Sequence, residues 1–310
     1  MIKKALIYFI IITSILFGLR AIHYEGLLRQ NQGYYGKYKT AFFEKNNFNV
    51  LFLGSSRVEM HYNTQLFDQL TGSNSFNLGS QGATPQVAFA ILKGYLLNSS
   101  APKYLFYEID FHFLKHKSTV VKEFNNYFPF LSNKALRTQF NTIDSRMNYF
   151  YFNPYFSFPY TGLKNLSTGM HGWLNIPNKT DSLYHKGYLK EVFRPNLNFI
   201  DTKPYTTFFN ITNRNYLDSI ILLCKNNQIK LHLISSPMFA GAKVDLLNKE
   251  QIITQIARIA TINNIPFHNI SSLPFCSNRN LFIDHFHMNH KGAHKFSLYF
   301  GQFFNNKIAN

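Results

Sequence analysis

The chain has 310 residues, 45% of them hydrophobic and 17% aromatic. That is enough to bury the core of one large domain or two small ones. Lys and Arg number 32 against 15 Asp and Glu, a formal charge of +17, which draws polyanions such as nucleic acid, anionic lipid or acidic polysaccharide. The basic residues are spread along the chain and no nucleic-acid-binding motif is present. The charge therefore argues for a surface or glycan role and against a nucleic-acid partner.

Lys3 and Lys4 precede a largely apolar run over residues 5–19. The run is shorter than the roughly 20 residues of an average spanning helix, and it extends to Ile22 if Arg20 snorkels. No small-x-small cleavage pattern follows. Residues 1–22 thus read as an uncleaved transmembrane signal anchor, with a cleaved signal peptide or a buried core helix as alternatives. Arg20, Arg29, Lys37 and Lys39 weaken the positive-inside asymmetry, but large domains translocate despite such charge. The body of the chain is expected outside the cytoplasm. Residues 23–47, polar and aromatic with "NQGYYGKYK", read as a linker.

Apolar residues over Val50–Leu53 predict a first buried strand, residues 66–70 a helix and residues 75–79 a second short strand. A Gly-containing loop leads to a helix over 86–97, with Val87, Ala90, Ile91 and Tyr95 near one face. Residues 104–109 predict a third buried strand. The alternation then stops. Residues 113–212, with "MNYFYFNPYFSFPY" and "HGWLNIPNKT", read as an aromatic-rich insertion carrying some helices. Its aromatics suit either a lid or substrate platform, or a satellite core.

Order returns with an amphipathic helix through Leu217, Ile220, Ile221 and Cys224. A strand follows that stops at Pro237, then a helix over Lys249–Ile262, a short strand over 265–271 and a closing helix over 292–304. Strands alternating with helices imply a mostly parallel sheet of about five strands, covered on both faces. Ligands of such sheets bind beyond the carboxyl ends of the strands. The two cysteines, Cys224 and Cys276, would be free to pair in an oxidising compartment. Cys224 lies on an apolar helical face, where a buried free thiol is expected.

Three short stretches can carry chemistry. The first strand runs into Gly54-Ser55-Ser56-Arg57. A polar turn explains this, but a serine at a strand-to-helix turn also meets the free N–H groups of the helix start. It needs a base to become nucleophilic. Near the end, Asp284 and His287 are spaced so that one turn presents both, the carboxylate fixing the imidazole tautomer. A solvated loop with a capping Asp is the plainer reading. His290 and His294 are spaced to share a metal on a helix, but no companion Cys or H-E-x-x-H pattern is present, and no metal or cofactor is expected. In "FNLGSQGATP", Gly82 allows close approach to a ligand, and its N–H can donate to an oxyanion.

In this order the three stretches resemble the SGNH/GDSL hydrolase superfamily. The resemblance covers residues 49–112 and 213–300 and implies a flavodoxin-like three-layer α/β/α fold; the large insertion after the third strand lies outside it, and the whole domain is read as residues 48–310. Gly54-Ser55-Ser56 resembles the family's Gly-Asp-Ser block, which makes Ser56 the implied nucleophile; Ser55 replaces the usual Asp. Gly82 matches the second block's glycine. Asp284-His285-Phe286-His287 matches Asp-x-x-His, so Asp284 is the implied orienter and His287 the implied base. The third block, Gly-x-Asn-Asp, has no equivalent in "YEIDFHF". By position Asp110 or His112 falls near its Asn, and a neutral His112 N–H would join the amides of Ser56 and Gly82 as an oxyanion donor. Arg57 is expected either to face solvent or to bind an acidic part of a substrate. The anchored form with a large insertion is similar to bacterial envelope members that act with membrane-bound O-acyltransferases. This implies a serine esterase or O-acyltransferase acting on acylated polysaccharide at the inner membrane. The missing third-block Asn keeps a non-catalytic glycan-binding or assembly protein as the alternative.

Overall fold

The computed structural model describes residues 2–152, 158–178, 181–191, 204–240 and 246–309. Helix α1 (Ile2–Arg20) carries no buried residue. It continues through a wide turn, Ala21–Glu25, into α2 (Gly26–Leu28). These 27 residues are long and apolar enough to cross a membrane, with a mean hydropathy of 2.2 over an 18-residue stretch.

Residues 23–47, expected as a linker, are corrected by α3 (Gly33–Phe43), which is folded into the domain. Tyr38 and Phe42 are fully buried, and their rings stack with centroids 5.5 Å apart. Lys37 is buried too, because Glu59 meets its ammonium at 2.8 Å and the Gly79 carbonyl accepts a second hydrogen bond. A buried charge survives only when paired in this way.

The alternating elements follow as β1 (Val50–Leu53), α4 (Ser56–His61), α5 (Thr64–Thr71), β2 (Ser75–Asn77), α6 (Pro85–Leu96) and β3 (Tyr104–Glu108). The insertion supplies α7 (Phe124–Tyr127), α8 (Lys134–Ile143), α9 (Arg146–Phe152) and α10 (Phe158–Leu174), then a two-stranded hairpin, β4 (Tyr184–His185) and β5 (Tyr188–Leu189). The chain closes with α11 (Ile211–Asn226), β6 (Lys230–Ser235), α12 (Lys249–Ile262), β7 (Phe267–Asn269) and α13 (His290–Phe304).

The main sheet has the order β2-β1-β3-β6-β7, and every neighbouring pair is parallel. This is the doubly wound three-layer α/β/α arrangement, with β1 at the point where the strand order reverses. Side-chain alternation divides the strands between two cores. Leu51, Leu53, Leu105, Tyr107, Leu231 and Leu233 face α3, α6, α8, α11 and α12. Val50, Phe52, Tyr104, Phe106 and Ile234 face α5 and α13, where Phe67, Phe296, Phe300 and Phe304 interlock as edge-on and tilted rings.

Within the insertion, Tyr127, Phe128, Phe130, Phe140 and Phe150 join the first of these cores, so these aromatics extend the core. The Phe and Tyr residues between 153 and 157 lie outside the described residues. Cys224 and Cys276 are both buried free thiols.

Candidate active site

The site begins with Gly54. Its φ of +154° and the Val58 Cγ2 atom, which would lie 2.6 Å from any added Cβ, leave room only for glycine. The chain thereby turns sharply from the end of β1 into α4. Ser55 caps the helix, its Oγ accepting the Arg57 N–H at 3.3 Å. Ser56 is then the first helical residue, at the carboxyl edge of the sheet, with its amide outside the helical hydrogen-bond ladder.

More than two hundred residues later, a bridge between Phe282 and Met288 and a hydrogen bond from the Ile283 N–H to the His287 carbonyl close a tight loop. Asp284 stands at one side of the loop and His287 at the other. The Asp284 carboxylate meets His287 Nδ1 at 2.8 and 3.0 Å and accepts the backbone N–H groups of Phe286 and His287, both at 2.8 Å. Burial alone would raise this carboxyl; the bonds from the His287 ring and the two amides outweigh it and hold it below its usual value. An ionised Asp284 keeps the proton of His287 on Nδ1. The opposite nitrogen, Nε2, lies 2.7 Å from Ser56 Oγ and is left to accept that hydroxyl's proton. Ser56, Asp284 and His287 are therefore brought into one hydrogen-bonded line.

Gly82 has a φ of +68°. The loop holding it is tied to the nucleophile turn by a hydrogen bond from Ser80 N–H to the Gly54 carbonyl at 3.0 Å. His112 stands exposed after β3, its ring 5.9 Å by centroids from that of Phe286. Its own amide is taken by Asp110 at 3.0 Å. The second carboxylate oxygen of Asp110 accepts the Ser55 hydroxyl at 2.7 Å. Asp110 thus braces the nucleophile turn as an acceptor.

The expectation that Arg57 faces solvent is corrected. Its side chain is 1% exposed and points under the sheet edge. Glu108 lies 3.1 Å from its Nε, and its Nη2 donates to the carbonyl and hydroxyl of Ser236. The guanidinium neutralises the carboxylates of Glu108 and Asp110 and forms part of the wall of the pocket beside the site. Burial raises the Glu108 carboxyl, with Arg57 and the Ser236 hydroxyl pulling it back.

This buried group contains residues that sequence reasoning did not select. Ser236 Oγ donates to Glu108 at 2.8 Å and lies 3.0 Å from His61 Nδ1. The other nitrogen of His61, Nε2, accepts the Met288 N–H at 3.0 Å. These partners place the His61 proton on Nδ1. Burial, then the charges of Arg57 and His287, drive its pKa well below the usual imidazole value, so it is neutral. No sequence signal marks it beyond a lone histidine at the end of a short helix.

Beyond the carboxyl ends of β3, β6 and β7 a pocket opens beside the loop of His287. It is lined by Asp110, His112, Tyr205, Met238, Lys249 and Phe286 among others. His290 lies against the Glu191 carbonyl. Among the described residues no cluster of three or more His, Cys, Asp or Glu is arranged to hold a metal ion.

No family model and no curated protein matches the chain. Among solved structures it is similar to a protein described as lipolytic and of the G-D-S-L family, from Desulfitobacterium hafniense. The identity is 9% and the TM-score 0.42, over 83% of this chain and 99% of that one. It is also similar to a protein described as an acylhydrolase, from Bacteroides fragilis, at 14% identity and a TM-score of 0.41, over 87% of this chain and 92% of that one.

Proposed function

We propose that the chain is a membrane-anchored serine ester hydrolase or O-acyltransferase that handles acyl esters of envelope polysaccharide. The observation that carries the reading is the line from Asp284 through His287 to Ser56, with 2.8 and 2.7 Å links. In this reading Ser56 Oγ attacks the ester carbonyl while His287 Nε2 takes its proton. Asp284 stabilises the resulting imidazolium. The Ser56 and Gly82 amides, neither bonded to another described backbone group, would receive the oxyanion, with the His112 ring as a third donor. The tetrahedral intermediate breaks its bond to the leaving alcohol, which takes the proton from His287. The acyl group is left on Ser56. Water or a sugar hydroxyl then gives its proton to His287 and takes the acyl group, restoring the serine.

Helix α1 would hold the protein in a bacterial inner membrane with the domain outside the cytoplasm. Its apolar length supports that placement. A membrane-bound O-acyltransferase would be the natural source of acyl groups in the transfer version. The second reading, a glycan-binding or assembly protein without catalysis, is favoured by one observation. Where the resembling family carries an Asn donor, this chain places Asp110, an acceptor occupied by Ser55.

A fluorophosphonate probe on the full-length protein in detergent decides between them. Labelling of the wild type that is absent in Ser56→Ala, together with acetate release or transfer from acetylated polysaccharide that is lost in His287→Ala, supports the enzyme. Equal labelling in Ser56→Ala removes the nucleophile. Absence of both labelling and turnover in the wild type leaves the binding reading.

A further inference from the structure

The segment that follows β3 gathers cations beside the site. The rings of His112 and His116 lie 5.9 Å apart by centroids. Lys115 sets its ammonium 5.5 Å over the ring of Tyr205, which also lines the pocket. Lys122 reaches back over Phe113 at 5.3 Å. Its side chain lies directly over Gly82, where an added Cβ would meet the Lys122 Cδ at 2.7 Å. The segment is pinned there because Ser118 Oγ bonds Thr84 Oγ1 at 2.8 Å, two residues past Gly82. At its other end His112 packs on Phe286, next to His287.

The cations are not cancelled. Among the described residues no ion pair engages Lys115, Lys117 or Lys122. Asp110 has its counter-charge in Arg57, whose Nη1 lies 4.0 Å away, which leaves Glu123 as the carboxylate next to the lysines. His116 is pushed below its ordinary pKa by partial burial and by the charges of His112, Lys115 and Lys122, so its ring joins the group as a neutral hydrogen-bonding side chain and the charge is carried by the lysines. Lys115, Lys117 and Lys122 outnumber the one carboxylate beside them, Glu123, and this surplus of positive charge draws an anion from outside.

We infer that His112, Lys115, His116 and Lys122 form a cradle for an anionic polymer, binding carboxylate or phosphate groups close to the ester that Ser56 would attack. The inference deepens the reading given above and rests on it only for the word ester. The aromatic faces of Phe113 and Tyr205 hold the ammonium groups in place.

The test uses the full-length Ser56→Ala protein in neutral-lipid nanodiscs, so binding is read without turnover. Fluorescent glycerol-phosphate oligomer, oligogalacturonate and neutral malto-oligosaccharide are compared by anisotropy at low salt. Lys115→Gln with Lys122→Gln should weaken polyanion binding about tenfold or more. Lys103→Gln with Lys230→Gln removes the same charge at the opposite edge of the sheet, where Lys230 pairs with Tyr104 at the start of the β3–β6 ladder and Lys103 precedes it, and should change it less than about twofold. Preference for one polyanion names the phosphate or the carboxylate as the ligand. Equal weakening in the two double variants, or no polyanion binding above the neutral sugar, overturns the cradle. Neither result depends on Ser56, whose role the fluorophosphonate label tests alone.

A separate observation concerns α10. Gly26, Gly169 and Gly172 let α10 touch the chain just after α1, since a Cβ on any of them would collide with backbone across the crossing. Trp173 Nε1 donates to the Ala21 carbonyl at 3.1 Å, and Arg29 stacks 3.7 Å over the Trp173 ring. Met170, Trp173 and Leu174 form one exposed apolar face of α10, continued by Ile176. The 19 residues of α1 span about 28 Å at 1.5 Å each, close to the roughly 30 Å of a hydrocarbon core. If α1 spans, Ala21 ends at the headgroups and Trp173 is level with it.

The geometry points to α10 as a membrane-surface element whose occupant is the lipid bilayer itself, with Trp173 as its interfacial anchor. Trp173 is the one tryptophan in the chain, so its fluorescence reports directly. In nanodiscs, its emission should be quenched by lipid labelled near the headgroup more than by lipid labelled near the acyl end. Aqueous iodide should quench it weakly. Strong iodide quenching with no effect of labelled lipid, or stronger quenching by the deep label, overturns the placement. Failure of α1 to span would show separately, as failure of the protein to enter nanodiscs.

Discussion

His61 Nε2 accepts the backbone N–H of Met288 at 3.0 Å, one residue beyond His287. The histidine at the far end of the nucleophile helix therefore grips the loop that carries the candidate base. Through Nδ1 it also holds Ser236, which holds Glu108. The ends of α4, β3 and β6 and the loop of His287 are locked by one set of buried hydrogen bonds. In a low-dielectric setting each of these bonds is electrostatically stronger than it would be in water.

Removing His61 should separate positioning from binding. His61→Ala leaves the Met288 N–H and the Ser236 hydroxyl short of a partner, which costs about 1–3 kcal/mol of stability. If Ser56 and His287 act together, kcat should fall about tenfold to a hundredfold with KM little changed. His61→Gln should recover part of the loss, because an amide supplies an acceptor and a donor in one side chain. A change in KM alone, with kcat intact, would count against the positioning role. Thermal melts and steady-state kinetics on the same samples provide the check.

Arg57 gives the opposite kind of prediction. Arg57→Gln strands Glu108 and should destabilise the fold by about 3–5 kcal/mol, as breaking a buried pair does. Arg57→Met combined with Glu108→Leu removes both charges and should recover much of that stability. A residue that only bound substrate would leave the melting temperature unchanged in Arg57→Gln. Differential scanning fluorimetry of the three variants distinguishes the two roles.

The sheet and most of its helices were legible because apolar periodicity records burial directly. β1 and α12 match the expected bounds, and the remaining sheet strands and their helices are shifted by a residue or a few. Helix α3 was not legible. Its core contacts come from tyrosines and Phe42, and the turns between them carry Gly33, Gly36 and the buried Lys37, which together resemble a polar linker. Lys37 is tolerable inside only because Glu59 arrives from α4, a pairing that local sequence does not encode. The burial of Arg57 was not legible for the same reason, since its partners are Glu108, at the end of β3, and Ser236, just past the end of β6. The meeting of Ser56, Asp284 and His287 was legible through motif order, whereas His61 and the cations after β3 acquire meaning only from what they touch.

Acid stability should be governed by histidine. His232 is held down to about 4, by burial first and then by the charges of His268 and Lys230, and His268 is lowered by burial. His232 Nδ1 lies 2.9 Å from His268 Nε2, so the pair has no room for two protons. A depressed imidazole binds its proton more readily in the unfolded chain. Stability from this site is therefore present above about pH 6.5 and lost as pH falls from there toward 4. The loss between pH 6.5 and 4.5 should approach about 2 kcal/mol. His232→Phe, beside Phe106, should flatten the fall in melting temperature over that window. An unchanged slope would remove His232 as the cause.

Asp284 differs from the histidines in the direction of its pH effect. Its folded carboxyl is lowered, so its contribution to stability is present above the ordinary aspartate value, near about 3.9. It is lost only as pH falls through the still lower folded value. Across the neutral range the carboxylate is charged, and any acid limb in activity must come from another group. Asp284→Asn should keep the loop closed, because the amide oxygen can still accept the Phe286 and His287 N–H groups. The new NH2 can donate to His287 Nδ1, which moves the ring proton to Nε2, the nitrogen facing Ser56 at 2.7 Å. A base protonated on that side cannot take the serine proton. Ester turnover and fluorophosphonate labelling rates should fall about a thousandfold to ten-thousandfold, with the melting temperature nearly unchanged at pH 7. A loss of less than about tenfold would mean that the Asp284–His287 contact closes the loop without serving catalysis.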